Sequence, residues 1–152
     1  MTKVKASMAG NVITVIAEEK VDSVRRQMAT RAYRASNILR NAELNVLSQQ
    51  AGHGGRRYRI PGTRKYYTAS APGEVPAVRT GTFRLSWRPR TRISGDVYKS
   101  VIESTTKAGK YTLGDILENG TPGGKMAPRP HHDKILQKAR PEILRLYEQD
   151  YF

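Results

Sequence analysis

The sequence predicts an α+β fold. An antiparallel sheet is packed by one long helix in the N-terminal half and by a C-terminal helix, with a long extended loop, or arm, between them. Three observations carry this reading. Apolar residues from Val21 to Gln50 recur at alternating spacings of three and four, the period of a helix. Asn11–Ile16 and the span Thr82–Thr105 are β-branched or alternate with period two, as strands do. Strand and helix signals do not follow one another as βαβ units, so the strands pair antiparallel. At 152 residues the chain is one domain, 1–152, with one modest core.

Lys3 to Ile16 reads as two short strands around Ala9-Gly10-Asn11, where the Gly-Asn pair suits a tight hairpin turn. The helix over Val21–Gln50 places Val21, Val24, Met28, Ala32, Ala35, Leu39, Ala42 and Val46 on one stripe. That stripe is thin and rich in Ala, so another backbone can approach it closely. Such a helix either lies across a sheet or packs against a neighbouring subunit. Ala51-Gly52 ends it by Gly capping. His53–Gly81 has no convincing element; it is longer than ordinary loops, and its three tyrosines mark it as an arm that orders against a partner.

Thr82–Ile93 and Asp96–Thr105 are the next strands, joined at Ser94-Gly95. Period two puts Phe83, Leu85 and Trp87 on one face, with Arg88, Arg90 and Arg92 opposite. Pro89 cannot donate to a ladder, so its strand lies at an edge or bulges there. Tyr111–Glu118 is a short helix or turn, and Gly120–Pro130 is a loop. Asp133 caps a last helix running to about Asp150, with Ile135, Leu136, Ala139, Ile143 and Leu146 as its apolar face. Pro141 kinks or divides that helix.

The chain carries 27 Lys and Arg against 13 Asp and Glu, a formal charge of +14. The excess is local. Between Ala51 and Arg92 there are ten basic residues and a single acid, Glu74. Such a block suits an anionic partner: nucleic acid, a membrane surface or an acidic protein face. The plain counter-reading is a solvated surface that maintains solubility. Absence of Cys excludes disulfides, thiolate nucleophiles and Cys-ligated zinc, and fits a reducing cytoplasm. Met1–Ala9 lacks the apolar core of a signal peptide, and no run is long and apolar enough to cross a membrane.

No catalytic constellation emerges. His131-His132-Asp133 is the one cluster resembling metal ligands. Adjacent histidines on one element diverge, and His53 is remote, so these residues read as a polar helix start rather than a zinc site. There is no Gly-x-Ser-x-Gly elbow. Glu18-Glu19 and Glu148 with Asp150 lie at element ends, where solvated charge explains them. Gly52-His53-Gly54-Gly55 lacks the Gly-Lys-Ser/Thr ending of a phosphate loop and reads as a hinge. The expectation is a protein without cofactor, metal or catalytic residues.

The contact candidates lie in the basic arm at about 52–81. Arg56, Arg57, Tyr58 and Arg59, then Arg64, Lys65, Tyr66 and Tyr67, interleave cations with rings. Single-stranded nucleic-acid sites use this combination, charge for phosphate and rings for stacking. Protein interfaces use it too, because Tyr and Arg are favoured hot spots. The residues leave both uses open.

Three further segments carry a resemblance. Ala69-Ser70-Ala71-Pro72-Gly73-Glu74-Val75-Pro76 followed by Ala77-Val78-Arg79-Thr80-Gly81, then Leu117-Glu118-Asn119-Gly120-Thr121, then Met126-Ala127-Pro128-Arg129-Pro130 occur in that order. They resemble motifs of the gene-product-ten-like tail components of tailed phages, over about Val21 to Leu146. Pro72, Gly73, Glu74, Arg79, Thr80, Gly81, Glu118, Gly120, Thr121, Pro128, Arg129 and Pro130 are the matching residues. The chain departs from that pattern at Asn119, where the family often has an aromatic, and at His131-His132. The resemblance implies a non-catalytic virion protein of the head–tail connection, a neck or tail-completion ring assembled in the host cytoplasm. It further implies a homo-oligomer, with a hexamer favoured over a dodecamer. Its neighbours would be head-completion or stopper, tail-terminator or tail-tube proteins, with DNA passing through the channel and no membrane contact. The alternative is a basic single-stranded nucleic-acid-binding protein.

Overall fold

The fold is α+β, as the patterning predicts. The structure, a computed structural model, describes residues 9–49 and 55–151, with side chains in the first helix from residue 22 onward. In chain order the elements are α1 (Ala9–Ser48), β1 (Arg57–Arg59), β2 (Tyr66–Thr68), α2 (Thr82–Leu85), β3 (Arg88–Ser94), β4 (Val97–Glu103), β5 (Lys107–Ala108), β6 (Tyr111–Thr112), α3 (Leu113–Asn119) and α4 (His132–Tyr147). The strands form three separate antiparallel ribbons, β1–β2, β3–β4 and β5–β6, rather than one sheet.

The stripe on α1 behaves as its spacing demands. Ala32, Ala35, Leu39, Ala42 and Val46 are buried, and Val75, Ile135 and Ala139 complete the core with them. Small side chains on both helices bring α4 close to α1. The β3–β4 ribbon lies on α1 as well, held by Ser100 Oγ donating to the Ala32 carbonyl (2.7 Å).

Several expectations need correction. Asn11–Ile16 is not a strand, and Gly10-Asn11 is not a hairpin turn: both lie in α1, which spans 40 residues, about 60 Å. A β-branched residue lowers helix propensity by only a fraction of a kcal/mol. The helix-forming Ala17-Glu18-Glu19-Lys20 continues the segment directly into the striped one. Lys3–Met8, Ala51 and the Gly52–Gly54 hinge lie outside the described residues.

Thr82–Ile93 is not one strand either. A helical turn, α2, starts after Gly81, with the Leu85 N–H donating to the Gly81 carbonyl (3.0 Å). Phe83 and Trp87 still share a face, in edge contact at 5.6 Å, because residues four apart coincide under either period. Leu85 is where the two periods differ, and it is exposed. The β3–β4 hairpin itself is as expected, with Arg88 paired to Glu103 and Ser94 to Val97. Pro89 sits in a two-stranded ribbon, where every strand is an edge.

Asp133 does not cap α4, and the N-cap residue, His131, makes no side-chain cap hydrogen bond. The capping acceptor is remote. Glu118 Oε2 receives the backbone N–H groups of His131 (2.8 Å) and His132 (3.2 Å). A carboxylate suits that position, where unpaired N–H groups and the helix dipole both favour negative charge. Pro141 does not divide α4; Gln137, whose carbonyl loses its partner, is exposed to water. Leu136 is exposed rather than part of the apolar face.

The far end of α4 is tied down by Arg31, a buried cation on α1. Its guanidinium donates to the carbonyls of Tyr147 (3.3 Å) and Asp150 (2.8 Å) and stacks on Tyr151 at 3.8 Å. Carbonyls at a helix C-terminus have no partner inside the helix, so a cation there satisfies both need and dipole. Arg31→Ala is expected to lower unfolding free energy by about 2–3 kcal/mol. Arg31→Lys should recover little of this, since an ammonium lacks the planar fork. Urea denaturation checks it: the midpoint falls with an unchanged slope.

Candidate functional site

The basic arm is not structureless. Tyr58 pairs with Tyr67 and Arg59 with Tyr66 across β1–β2. The turn is built by Ile60-Pro61-Gly62-Thr63, closed by the Thr63 N–H on the Ile60 carbonyl (3.1 Å). Pro61 presets the second position and Gly62 takes φ 76° at the third, the requirement of a type II turn. The Pro-Gly pair between Tyr- and Arg-rich runs is the signal that reveals this hairpin in the sequence.

Register decides what the hairpin presents. Side chains of paired residues share a face, so Tyr58 and Tyr67 lie on one side, with ring centroids 6.0 Å apart. Arg57, Arg59 and Tyr66 lie on the other, where the Arg57 guanidinium stacks over the Tyr66 ring at 4.9 Å. Arg64 and Lys65 complete the turn, and Arg56 stands at the base. All five cations are exposed. None is in an ion pair among the described residues. By contrast Arg90 and Arg92 on β3 both pair with Glu103, so that cationic face is partly neutralised.

The motif residues come together elsewhere, at the foot of this hairpin. Segment 69–81, the end of α3 and segment 126–130 are far apart in sequence yet bonded backbone to backbone. The Gly73 N–H donates to the Pro128 carbonyl (3.1 Å), and the Arg129 N–H to the Leu117 carbonyl (2.6 Å). The Thr121 N–H donates to the Met126 carbonyl (3.0 Å), and the Thr121 hydroxyl accepts the Met126 N–H (2.8 Å). Arg129 Nε donates to Ser70, through both its carbonyl (3.1 Å) and its hydroxyl (2.9 Å). Glu74 accepts the Ala71 N–H (2.7 Å) within the Pro72-Gly73 turn. Thr80 bonds the Thr82 hydroxyl (2.9 Å) just before α2. Pro130 is half-buried and leads the chain to His131.

Glu118, His131 and His132 are the one set among the described residues whose donor atoms converge, within 4.8 Å. Their bonding is that of a structural cap. His131 is fully buried, and its Nδ1 lies 3.0 Å from both the Arg129 carbonyl and Glu118 Oε2. Two acceptors there assign the ring proton to Nδ1. Burial lowers the His131 pKa, against the opposing pull of the Arg129 carbonyl, and keeps the ring neutral. Burial alone would raise the Glu118 carboxyl. The two backbone N–H groups it accepts hold it below the usual carboxylate range instead. A divalent cation bound through Nδ1 would have to displace its proton and compete with the positive end of α4.

One acid escaped the sequence reading. Glu43 is completely buried on α1 and paired with Arg40, and its Oε1 has no partner. Burial pushes its carboxyl up to about 7, with Arg40 opposing. The folded protein therefore holds a proton that the unfolded chain releases near 4.5. Stability is full below that value and falls as pH rises towards 7, by about 3 kcal/mol. Glu43→Gln is expected to flatten this slope and to gain stability at pH 8 relative to the parent. Urea midpoints at pH 5 and pH 8 measure both effects.

Compared with known protein families, curated proteins and solved structures, the chain matches none. Among the described residues no helix is long and apolar enough to cross a membrane.

Proposed function

We propose that this chain is a structural, non-catalytic subunit of a phage head–tail connection, a neck or tail-completion ring of the gene-product-ten-like type. The observation that carries the reading is the convergence of the motif segments. Three stretches that resemble one family in sequence are bonded into a single unit. Chance resemblance in three separate loops gives no reason for that. The unit fixes the base from which the β1–β2 hairpin projects, and the hairpin offers unpaired cations to an acidic face of a neighbouring ring. Complementary charge sets orientation and steers encounter. The subunits close as a ring by repeated heterologous contact, with six-fold symmetry favoured. A cationic lining of the channel would retard DNA, so the hairpin serves the protein neighbour rather than the lumen.

The second reading, a single-stranded nucleic-acid-binding protein, draws on the Arg57–Tyr66 stack. Register weakens it, since a stacking platform needs rings and cations on one surface. Here only Tyr66 shares a face with Arg57 and Arg59, while Tyr58 and Tyr67 face away from them. A salt titration with an unstructured DNA strand separates the readings. The ring subunit binds weakly and without sequence preference. Micromolar or tighter affinity that falls linearly in log salt would establish the second reading and overturn the first.

A further inference from the structure

Beside the hairpin lies a groove of about 440 Å³, the size of a site that takes one or two large side chains. Its floor is apolar, made by Leu47, Phe83, Leu117 and Met126. Its charged groups are all of one sign. Arg79, Arg84 and Arg129 line it, and no carboxylate does.

None of these three guanidiniums is in an ion pair among the described residues. Arg129 is spent on neutral acceptors, Ser70 and the carbonyls of Ala127 and Pro128, which leave its charge uncompensated. Arg84 donates one bond, to the Ser48 hydroxyl (2.9 Å), its buried Nε–H has no acceptor among the described residues, and it lies near enough to the buried Glu43 to favour that group's charged form.

We infer that this groove is a docking site for an acidic segment of a partner protein. One aliphatic or aromatic side chain of the segment fills the apolar floor, and its flanking carboxylates meet Arg79, Arg84 and Arg129. Charge selects this occupant. A second copy of the chain brings +14 to a cationic rim. A nucleic-acid backbone satisfies the rim but leaves the floor unfilled. The inference goes beyond the head–tail reading and does not depend on it.

The test uses two fluorescein-labelled peptides of alternating leucine, phenylalanine and glutamate, or leucine, phenylalanine and lysine, with the intact protein. Fluorescence polarisation should show the glutamate peptide binding at least about tenfold more tightly than the lysine peptide. Arg79 is exposed and makes no hydrogen bond among the described residues, so Arg79→Glu should leave thermal unfolding unchanged. It should weaken the glutamate peptide by about tenfold or more. Amide resonances of residues 77–84 and 126 should move on titration. Four results would overturn the inference: no binding at about 1 mM peptide; equal binding of the two peptides; Arg79→Glu without effect; shifts confined to residues 57–68. Groove amides that move with the protein's own concentration would assign the groove to a second copy. Displacement of the peptide by an equimolar DNA strand would assign it to nucleic acid. Either result sinks the proposal as well.

Discussion

On the proposed head–tail reading, replacing Arg56, Arg57 and Arg59 together by Glu is expected to abolish the joining of filled heads to tails while leaving the folded subunit intact. These side chains are exposed, and their ribbon pairs with no other strand. Two surface contacts are lost, the bond from Arg59 Nε to the Thr63 carbonyl (2.7 Å) and the Arg57 stack on Tyr66. Stability should move by less than about 1 kcal/mol. On the proposed docking against an acidic ring the consequence is far larger, because three attractive contacts would become repulsive ones. Like charge brought against like costs several kcal/mol and also slows encounter, so joined particles should fall by about 100-fold or more. Counting infectious particles after mixing heads with tails reads this out. A single Arg92→Glu change on β3 is the comparison, and it should have little effect. Normal joining by the triple variant would reduce the hairpin's charge to a solvated surface.

Gly120→Val is expected to be the most destabilising single change among the motif residues. Gly120 has φ 81° and ψ 175°, a conformation essentially closed to other residues. A Cβ there would stand 2.7 Å from the Met126 carbonyl oxygen and 3.2 Å from Pro128. Both atoms belong to backbone held by the motif hydrogen bonds, so neither can retreat without breaking them. Strain and contact together amount to about 3–4 kcal/mol, and for a chain of this size the melting temperature should drop by roughly 10 °C. Gly123 gives the control. Its φ of 87° is also positive, yet a Cβ there would meet nothing within 4 Å. Gly123→Ala should therefore cost only about 1 kcal/mol. Equal losses at the two sites would mean that backbone conformation alone, and not the packed motif unit, sets the cost.

The long helix was legible because its core stripe repeats the helical period over many turns, and the stripe from Ala32 to Val46 is buried in the fold. Its start was not. β-branched residues at Asn11–Ile16 look like a strand locally, and only the continuity of the helix outweighs that preference. Phe83 and Trp87 were correctly placed on one face for an incomplete reason, since four residues apart satisfies both periods. Leu85 exposes the difference. The cap of α4 could not be read at all: Glu118 precedes the helix by more than ten residues, and nothing local marks it as the acceptor. Glu43 was hidden for a similar reason, because a carboxylate within a stripe of Ala and Leu reads as surface until the packing is seen. The cationic residues of the arm were legible by composition. Their division onto two faces depends on register, which the Pro61-Gly62 turn fixes.

Electron cryo-microscopy of tailed-phage particles assembled with this chain tests the proposed function most directly. A closed ring of this chain between capsid and tail is predicted, with each β1–β2 hairpin set against an acidic surface of the adjoining ring. A particle that lacks the chain at that junction, or a ring whose hairpins touch no neighbouring chain, would contradict it.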